Sequence, residues 1–288
     1  MIECKEAAWE ATLADALRLP ALERNYAALD WLGQAGFAIR GGGRLVIIDP
    51  YLSNSLAEKY RGTALPHVRM MPSPLAPEAA RGVDAVLCTH KHTDHMDPGT
   101  LPAIAKSNPE CLFVVPRAEK LHALSIGVPE LRLRTMDAAE VLRPADGVQV
   151  DAIAAAHEEL AKNDKGELLH LGYILTMGGL RIYHSGDCVP YEGLEETLRA
   201  SAIDVALMPV NGRSASLTAR RIFGNFHLEE AIQLCQAAGI PLLFCHHWGL
   251  FDFNTIDPQK ALGKIRKLAG RVRCIMPRVG VSYQVRKT

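Results

Sequence analysis

The stretch Thr89-His90-Lys91-His92-Thr93-Asp94-His95-Met96-Asp97 places three imidazoles and two carboxylates within nine residues. It follows the apolar run Val83-Asp84-Ala85-Val86-Leu87-Cys88, whose length and composition are typical of a buried strand. Because alternate residues of an extended segment project the same way, His90 and His92 can reach one ion, while Asp94 and His95, past a turn, can reach a second. Neutral imidazole with carboxylate suits zinc, manganese or iron, so the stretch predicts a metal site at a strand end.

A solvated loop whose histidines have no function is the alternative for any histidine-rich turn. The His-x-His-x-Asp-His spacing directly after a predicted strand favours the metal site. This stretch resembles the metal-binding signature of the metallo-β-lactamase superfamily. The resemblance implies an α/β fold, a four-layer αββα sandwich, with one or two metals at the edges of its sheets. It also implies that further ligands follow in order along the chain.

Composition narrows the class of protein. The 288 residues are 48% hydrophobic and 22% charged, enough to bury a large core. Lys+Arg and Asp+Glu both number 32, which gives no overall field favouring nucleic acid or an acidic membrane. We find neither a signal-like N-terminal segment nor a run of ~20 apolar residues, and seven scattered cysteines fit a reducing compartment. We therefore predict a cytoplasmic protein without nucleic-acid or membrane partners.

The first residues differ in composition from the rest. Residues 1–26 are rich in Ala, Leu and Glu, and Trp9, Leu13 and Leu17 recur at helical spacing before Pro20 interrupts the pattern. This predicts a helical N-terminal arm that serves for packing, with contacts between the subunits of a homo-oligomer as one use. Residues 27–288 are then predicted to form one domain.

That domain is predicted to begin with a β-meander at 28–32, 37–40 and 45–51. Residues 52–80 contain four prolines and no clear period, which predicts a long loop of the kind that forms lids or binding surfaces. Strands and helices then alternate, as in α/β layers. The remaining strands are predicted at 111–115, 148–156, 170–177, 180–185, 203–210, 241–247, 272–276 and 281–285, and helices at 117–124, 227–238 and 258–269.

Candidate ligands follow three of the later strands. His157 ends the strand at 148–156, Asp187 follows a hairpin, and His246 and His247 end the strand at 241–247. Taken alone, His157 reads as a surface histidine and the Gly-Asp pair as an ordinary turn. Because adjacent strand residues face opposite ways, only one of the histidine pair is expected to bind metal.

The resemblance assigns roles to these residues. It implies a first metal site of His90, His92 and His157 and a second site of Asp94, His95 and His247. Asp187 is expected to bridge the two ions, and the aromatic residue Trp248 selects His247 over His246. Asp49 and His184 are expected to support the ligands without binding metal, whereas Cys188, beside the bridge, leaves a sulfur ligand open.

A possible anion site is suggested by a second group of residues. Asn211 and Arg213 end the strand at 203–210, and Asn225 is predicted to cap the helix at 227–238. An arginine near a helix N-terminus can hold a substrate phosphate or carboxylate, so these three residues are predicted to bind substrate. Solvated loop side chains are an equally good interpretation.

The resemblance extends to one branch of the superfamily, the L-ascorbate-6-phosphate lactonases. The matching stretches are Trp31-Leu32-Gly33, residues 84–97, Tyr183-His184-Ser185-Gly186-Asp187, residues 203–207, and His246-His247 leading to Asp257-Pro258. It implies a metal-dependent hydrolase in which a metal-bound hydroxide opens a small lactone, phosphorylated or not, such as a sugar-acid lactone. Two divalent ions, Mn or Zn with Fe as an alternative, would serve as cofactors, and Asp94 would orient or deprotonate the nucleophile. Phosphodiesterase or nuclease chemistry on the same fold, and a non-catalytic metal-binding module, remain as alternatives.

Overall fold

The computed structural model describes residues 1–19 and 25–288. In these ranges the strands are, in chain order, Ile2–Ala8 (β1), Tyr26–Gly33 (β2), Gly36–Gly41 (β3), Arg44–Ile48 (β4), Ala85–Leu87 (β5), Leu112–Pro116 (β6), Leu133–Met136 (β7), Val141–Ala145 (β8), Val148–Ala154 (β9), Leu171–Met177 (β10), Leu180–His184 (β11), Val205–Pro209 (β12), Leu242–His246 (β13), Arg273–Ile275 (β14) and Val281–Lys287 (β15). The predicted β-meander is confirmed as β2, β3 and β4.

The α-helices in the same ranges are Leu13–Arg18 (α1), Ser55–Lys59 (α2), Leu101–Ser107 (α3), Lys120–Ser125 (α4), Leu194–Ala200 (α5), Ala215–Thr218 (α6), Leu228–Ala238 (α7) and Pro258–Leu268 (α8). Short 3₁₀ turns lie at Pro77–Ala79, Arg117–Glu119 and Glu130–Arg132. Helix α8 begins with Pro258 and has a side-chain cap, because the Asp257 carboxylate accepts hydrogen bonds from the backbone N–H groups of Gln259 and Lys260.

The strands form two mixed sheets. The first has the order β1-β15-β2-β3-β4-β5-β6-β7, and the second has the order β14-β13-β12-β11-β10-β9-β8. In the first sheet β4 to β7 are parallel, and in the second β11 to β14 are parallel, while the other neighbouring pairs are antiparallel. The two sheets therefore share one plan, in which an antiparallel half continues into a parallel half.

The sheets face each other across the main core, and helices cover their outer faces. Trp31 and Phe37 from the first sheet meet Tyr173 and Phe244 from the second, and each is buried. Full burial of a large apolar side chain contributes roughly 1.5–3 kcal/mol, so this layer contributes strongly to stability. Helices α1 and α3 pack on the outer face of the first sheet, and α5, α7 and α8 pack on that of the second. The predicted αββα order of layers is confirmed.

The prediction of a helical N-terminal arm is wrong for the first part of that segment. Ile2–Ala8 is strand β1, which pairs antiparallel with β15 and places Cys4 opposite Val285. Only Leu13–Arg18 is helical, and Leu13 and Leu17 are buried in the outer core of the first sheet. Pairing with β15 outweighs the helical propensity of the segment, because local propensity is weak beside tertiary contacts. The predicted break at Pro20 lies outside the described residues.

The fold brings several strand ends together at one side of the molecule. Strands β4 and β5 are parallel, so Asp49 and the histidine-rich stretch leave the first sheet at the same edge. Strands β9 and β11 both run antiparallel to β10, and β11, β12 and β13 are parallel. Residues after β9, β11 and β13 therefore leave the second sheet together, facing those of the first.

Candidate metal centre

The histidine-rich stretch forms a tight turn that is held at both ends by buried carboxylates. The backbone N–H groups of His95 and Met96 donate to the His92 carbonyl at 2.9 and 2.8 Å. On one side, Asp49 accepts from the Thr89 backbone N–H at 2.8 Å and from its hydroxyl at 2.7 Å. On the other, Asp97 accepts from the hydroxyls of Ser55 and Thr100 and from the backbone N–H of Gly99. These bonds fix the turn on the rigid end of β5.

The seven side chains predicted to bind metal lie in one cluster. They form two groups, in each of which the ligand atoms lie within 4.8 Å of one another: His90, His92, His157 and Asp187, and then Asp94, His95 and His247. Asp187 lies between the groups, because its Oδ1 is 3.3 Å from His95 Nε2 and 3.2 Å from His247 Nε2, while its Oδ2 is 4.0 Å from His157 Nε2.

The cluster contains buried polar atoms that lack a well-oriented hydrogen bond. His95 Nε2 and Asp187 Oδ1 are 3.3 Å apart as an ion pair, but neither makes a hydrogen bond of good geometry within the part of the chain that the structure describes. Leaving buried polar atoms unpaired is costly, so each such atom requires an explanation. Nitrogen and carboxylate oxygen donors in this number and spacing suit divalent Zn, Mn or Fe, which fits the residues present.

The histidines of the cluster fall into two kinds, which differ in the direction of their pKa shift. Burial lowers the pKa of His90 well below the ordinary value and that of His157 to about 4, so both rings are neutral, as metal binding requires. Burial acts in the same direction on His95 and His247. There, however, the carboxylates outweigh it, with Asp187 the largest contributor, and the pKa of each ring is raised. The carboxylates of the second group thus favour the positively charged forms of these two rings.

Asp49 contacts the cluster from behind, whereas the two ring nitrogens of His184 bond to the backbone of Ala35 and Gly186. Asp49 Oδ2 lies 2.7 Å from His95 Nδ1, and its backbone adopts a left-handed φ of 46° just after β4. His184 Nε2 donates to the Ala35 carbonyl at 2.8 Å, and its ring stacks on that of His246 at 4.9 Å. His246 ends β13 and points into the core, whereas His247 has a left-handed φ of 62° that turns its ring towards Asp187.

Cys188 lies beside the cluster but outside both groups. Its thiol donates to the Val189 carbonyl at 3.3 Å, and burial raises its pKa to about 12. Metal binding needs the thiolate, which this environment disfavours. The sulfur ligand left open by the sequence therefore has no support in this geometry.

Two residues of the site were missed by sequence reasoning. Gln34 Nε2 donates to Asp94 Oδ2 at 2.9 Å and lies 3.1 Å from His247 Nε2, while its backbone carbonyl accepts from the His247 backbone N–H at 2.9 Å. The sequence signal that could have identified Gln34 is a polar residue in the turn between the apolar strands β2 and β3.

The second missed residue is His170, which directly precedes β10. Its ring lies 5.0 Å from that of His90 and 5.3 Å from that of His157.

The three residues predicted to bind substrate are engaged elsewhere. Arg213 forms a two-point ion pair with Glu230 at 2.6 and 2.7 Å, and Asn211 donates to Asn254 at 2.8 Å. Asn225 donates to Asn211 at 3.1 Å. The predicted cap at Asn225 is wrong, because α7 is capped by His227, whose backbone N–H donates to Glu230. The Arg213 guanidinium is not free to hold a substrate anion, because a carboxylate on α7 already occupies it.

A cavity of about 700 Å³ opens over the cluster. Its lining includes the carboxylates Asp94 and Asp187 together with His92, His157 and His247. Much of the remaining lining consists of aromatic and basic side chains, most of them from the 52–80 loop and from the segments around 220 and 251: Tyr60, His67, Phe223, Phe251, Phe253, Lys59, Lys91, Arg220 and Arg221. Residues of the segment 52–80 thus form part of the cavity wall.

The chain belongs to the β-lactamase superfamily. A family model described as "Beta-lactamase superfamily domain" matches residues 44–248, which span the whole histidine-rich turn and His247. A curated relative from Myxococcus xanthus (strain DK1622), a UPF0173 metal-dependent hydrolase, is 27% identical over 270 residues, covering 91% of this chain and 85% of the relative.

Solved structures agree on the fold. Igni18, a metallo hydrolase from Ignicoccus hospitalis, superposes with a TM-score of 0.65 at 19% identity, over 90% of this chain and 98% of that one. The metallo-beta-lactamase fold protein YhfI from Bacillus subtilis gives a TM-score of 0.63 at 13% identity, over 91% of this chain and 100% of that one. The metallo-β-lactamase fold predicted from the sequence is confirmed. No helix in residues 1–19 and 25–288 is long and apolar enough to cross a membrane.

Proposed function

We propose that this chain is a metal-dependent hydrolase that opens a small lactone, such as a sugar-acid lactone or its phosphate. The observation that carries the metal dependence is the convergence of seven nitrogen and oxygen donors from four separate segments into two adjoining groups. The curated relative is named a metal-dependent hydrolase, and the likeness of the sequence to the lactonase branch supports the choice of substrate.

The first group would hold one divalent ion through His90, His92 and His157. The second would hold another through Asp94, His95 and His247, and the carboxylate of Asp187, which faces both groups, would bridge them. Mn and Zn are the proposed ions, with Fe as the alternative. Ions bound there would lower the pKa of water and polarise the carbonyl of the substrate.

The protein groups around the cluster have their own tasks. Hydrolysis adds a water oxygen to the lactone carbonyl carbon, breaks the ring C–O bond and delivers a proton to the released oxygen. Asp94 is the proposed group that orients the water and takes its proton. The Gln34 amide donates to Asp94 Oδ2 at 2.9 Å, so the carboxylate keeps one orientation. Asp49 similarly keeps the His95 ring in place.

The cavity supports a small anionic substrate. The whole chain has a formal net charge of +0, yet four basic side chains contribute to this one lining: Lys59, Lys91, Arg220 and Arg221. The lining also contains the carboxylates of Asp94 and Asp187, whose charge bound metal ions would offset, so the four cations would attract an anionic ligand. A volume of about 700 Å³ is in the range of small-molecule sites. We place the reaction in the cytoplasm, because all seven cysteines are free thiols.

The test is metal analysis of the purified protein together with hydrolysis assays on sugar lactones, their phosphates and phosphodiesters, each with and without a chelator. Lactone opening that a chelator abolishes and added Mn or Zn restores would support the proposal. Turnover of phosphodiesters alone would favour the phosphodiesterase alternative. Bound metal without turnover of any of these esters would favour a non-catalytic module.

A further inference from the structure

The segment 52–80, which forms a long loop apart from α2 and the 3₁₀ turn at Pro77–Ala79, carries a histidine that the reaction described above does not use. His67 lines the cavity together with Asp94 and His247 but belongs to neither metal-binding group. We propose that His67 is a specificity-determining residue that accepts a hydrogen bond from a hydroxyl group of the substrate. This inference rests on the proposed use of the cavity as the substrate site, and it assigns a hydroxyl-bearing substrate class to that site.

The ring of His67 is fixed by an aromatic cage. It stacks on Tyr60 with ring centroids 4.2 Å apart and planes 21° apart. The rings of Phe251 and Phe253 meet it edge to face at 5.1 and 4.8 Å. Tyr60 comes from the same loop, whereas the two phenylalanines follow β13 in the second half of the chain. The cage therefore holds the ring in one orientation at the junction of the two halves.

One hydrogen bond determines which nitrogen of His67 carries the hydrogen. Nδ1 lies 2.6 Å from the Leu65 carbonyl oxygen. A carbonyl oxygen only accepts, so Nδ1 must be the donor, and the neutral ring then has an acceptor at Nε2. Nε2 makes no hydrogen bond within the described residues, and it is not among their buried unpaired atoms, so it is open to solvent or ligand.

The protonation state agrees with an acceptor. Burial and the positive charge of Lys59 lower the pKa of His67, and this outweighs the opposite effects of the Leu65 bond and of Asp94. The ring is therefore neutral at pH 7, with the Nε2 lone pair free. A hydroxyl group is a suitable donor to such a nitrogen, whereas an alkyl group would leave it unpaired and desolvated.

The backbone at His67 supports a role beyond packing. Its φ is 35°, in the left-handed region that residues other than glycine rarely adopt. Such conformations persist only where surrounding contacts impose them, and they are concentrated at ligand-binding sites. Of the nine non-glycine residues with a positive φ in the described ranges, His247 is a candidate metal ligand and Gln34 and Asp49 contact such ligands, whereas Asn25, Ala139 and Ala202 belong to neither the cluster nor the cavity lining.

Three variants separate the Nε2 acceptor from the other contacts of the ring. His67→Phe keeps an aromatic ring against Tyr60 but has no acceptor. His67→Asn tolerates the left-handed backbone and can still donate to Leu65, but it too lacks an atom at the Nε2 position. His67→Gln extends an amide to about that position. The matched probes are D-gluconate and hexanoate, six-carbon monocarboxylates with and without hydroxyl groups, and the readout is their dissociation constants measured by calorimetry on the metal-loaded protein.

We expect D-gluconate to bind the unmodified protein more tightly than hexanoate. The ratio of the two affinities should fall about three- to tenfold in both His67→Phe and His67→Asn, as expected for one lost hydrogen bond, and recover in part in His67→Gln. Equal losses for both probes, with a lower melting temperature, would show a structural role and overturn the proposal. A ratio unchanged in Phe and Asn variants, or no preference for gluconate at the outset, would also overturn it. Lactone hydrolysis is measured separately, so failure of the proposed reaction is distinguished from failure of this inference.

Discussion

Asp49 and His95 form a fully buried pair in which the carboxylate Oδ2 lies 2.7 Å from the imidazole Nδ1. The same carboxylate accepts two hydrogen bonds from Thr89, at the base of the histidine-rich turn. His95 is thereby oriented with Nε2 towards Asp187, at 3.3 Å. A strand end in the first sheet thus sets the direction of a ring that meets a carboxylate from the second sheet.

Replacing this carboxylate tests its importance. In Asp49→Asn the side chain is neutral and has only one acceptor oxygen. It cannot accept hydrogen bonds from both His95 and Thr89 as the carboxylate does, so the His95 ring loses its fixed orientation. We expect metal affinity to fall roughly 10- to 100-fold, the range typical for partners of metal ligands, as measured by competition with a chromogenic chelator. Asp84→Asn is the control, because Asp84 also accepts a backbone N–H, from Leu45 at 2.8 Å, but lies outside both candidate metal-binding groups. Equal affinities in Asp49→Asn and the unmodified protein would contradict this role.

Gln34 is expected to affect turnover more than metal content. Its amide donates to Asp94 Oδ2 but is itself in neither group. Gln34→Met keeps the length and burial of the side chain while removing the donor. We expect kcat to fall about tenfold, corresponding to a hydrogen bond to a charged group, with metal content within error of the unmodified protein. A parallel loss of metal would instead make Gln34 part of the structural support of the cation site.

The sequence allowed the main part of the fold and of the site to be predicted. The spacing of His90, His92, Asp94 and His95 after an apolar strand is a local pattern that can be recognised in the sequence, although the structure places these residues in a turn after β5 and not in an extended segment. His157, Asp187 and His247 were selected by a family resemblance, because nothing local distinguishes them from ordinary strand-end residues. The structure brings all seven together.

What could not be predicted depends on contacts between distant segments. Strand β1 has a helical composition, and it becomes a strand only because β15, at the other end of the chain, offers an edge for pairing. The sequence gives no sign that the Arg213 guanidinium is paired, because its partner Glu230 lies on a helix 17 residues away. The role of Gln34 likewise needs β2, β5 and β13 in their final positions.

His92→Ala tests the metal site directly. Removing one imidazole from the first group should abolish stoichiometric metal binding there and reduce turnover at least about a hundredfold. Lys91→Ala is the matched control for metal content, because Lys91 is the neighbouring residue, pairs with Glu119 at 3.4 Å and belongs to neither candidate metal-binding group. Metal analysis by mass spectrometry provides the measurement. Full metal occupancy with unchanged turnover in His92→Ala would refute the assignment.

The basic residues of the cavity are expected to act on substrate binding. A triple variant, Lys59→Gln with Arg220→Gln and Arg221→Gln, removes three charges from the lining while keeping polar side chains. We expect KM for an anionic lactone to rise about tenfold and its dependence on salt to weaken. The reason is that the variant loses the attraction between the basic side chains and the anion, which is the interaction that salt screens. Arg213→Gln is the control, since its guanidinium is paired with Glu230 and does not line the cavity. A similar rise in KM for a neutral lactone would exclude an electrostatic cause.

Acid should destabilise the metal-free protein through its buried neutral histidines. Burial lowers the pKa of His170 to about 3 and that of His157 to about 4, whereas an unfolded histidine titrates near 6.5. Between these values the unfolded chain binds protons that the folded chain does not, so the free energy of unfolding decreases as pH falls below about 6.5, by up to about 1.4 kcal/mol per pH unit for each ring. Urea titrations of chelator-treated protein at pH 7, 6 and 5 would give this slope. His170→Phe retains a ring beside His90 and His157 but cannot take up a proton, so its slope should be smaller than that of the unmodified protein. Identical slopes would mean that His170 is already protonated in the folded chain, contrary to its burial against two other imidazoles.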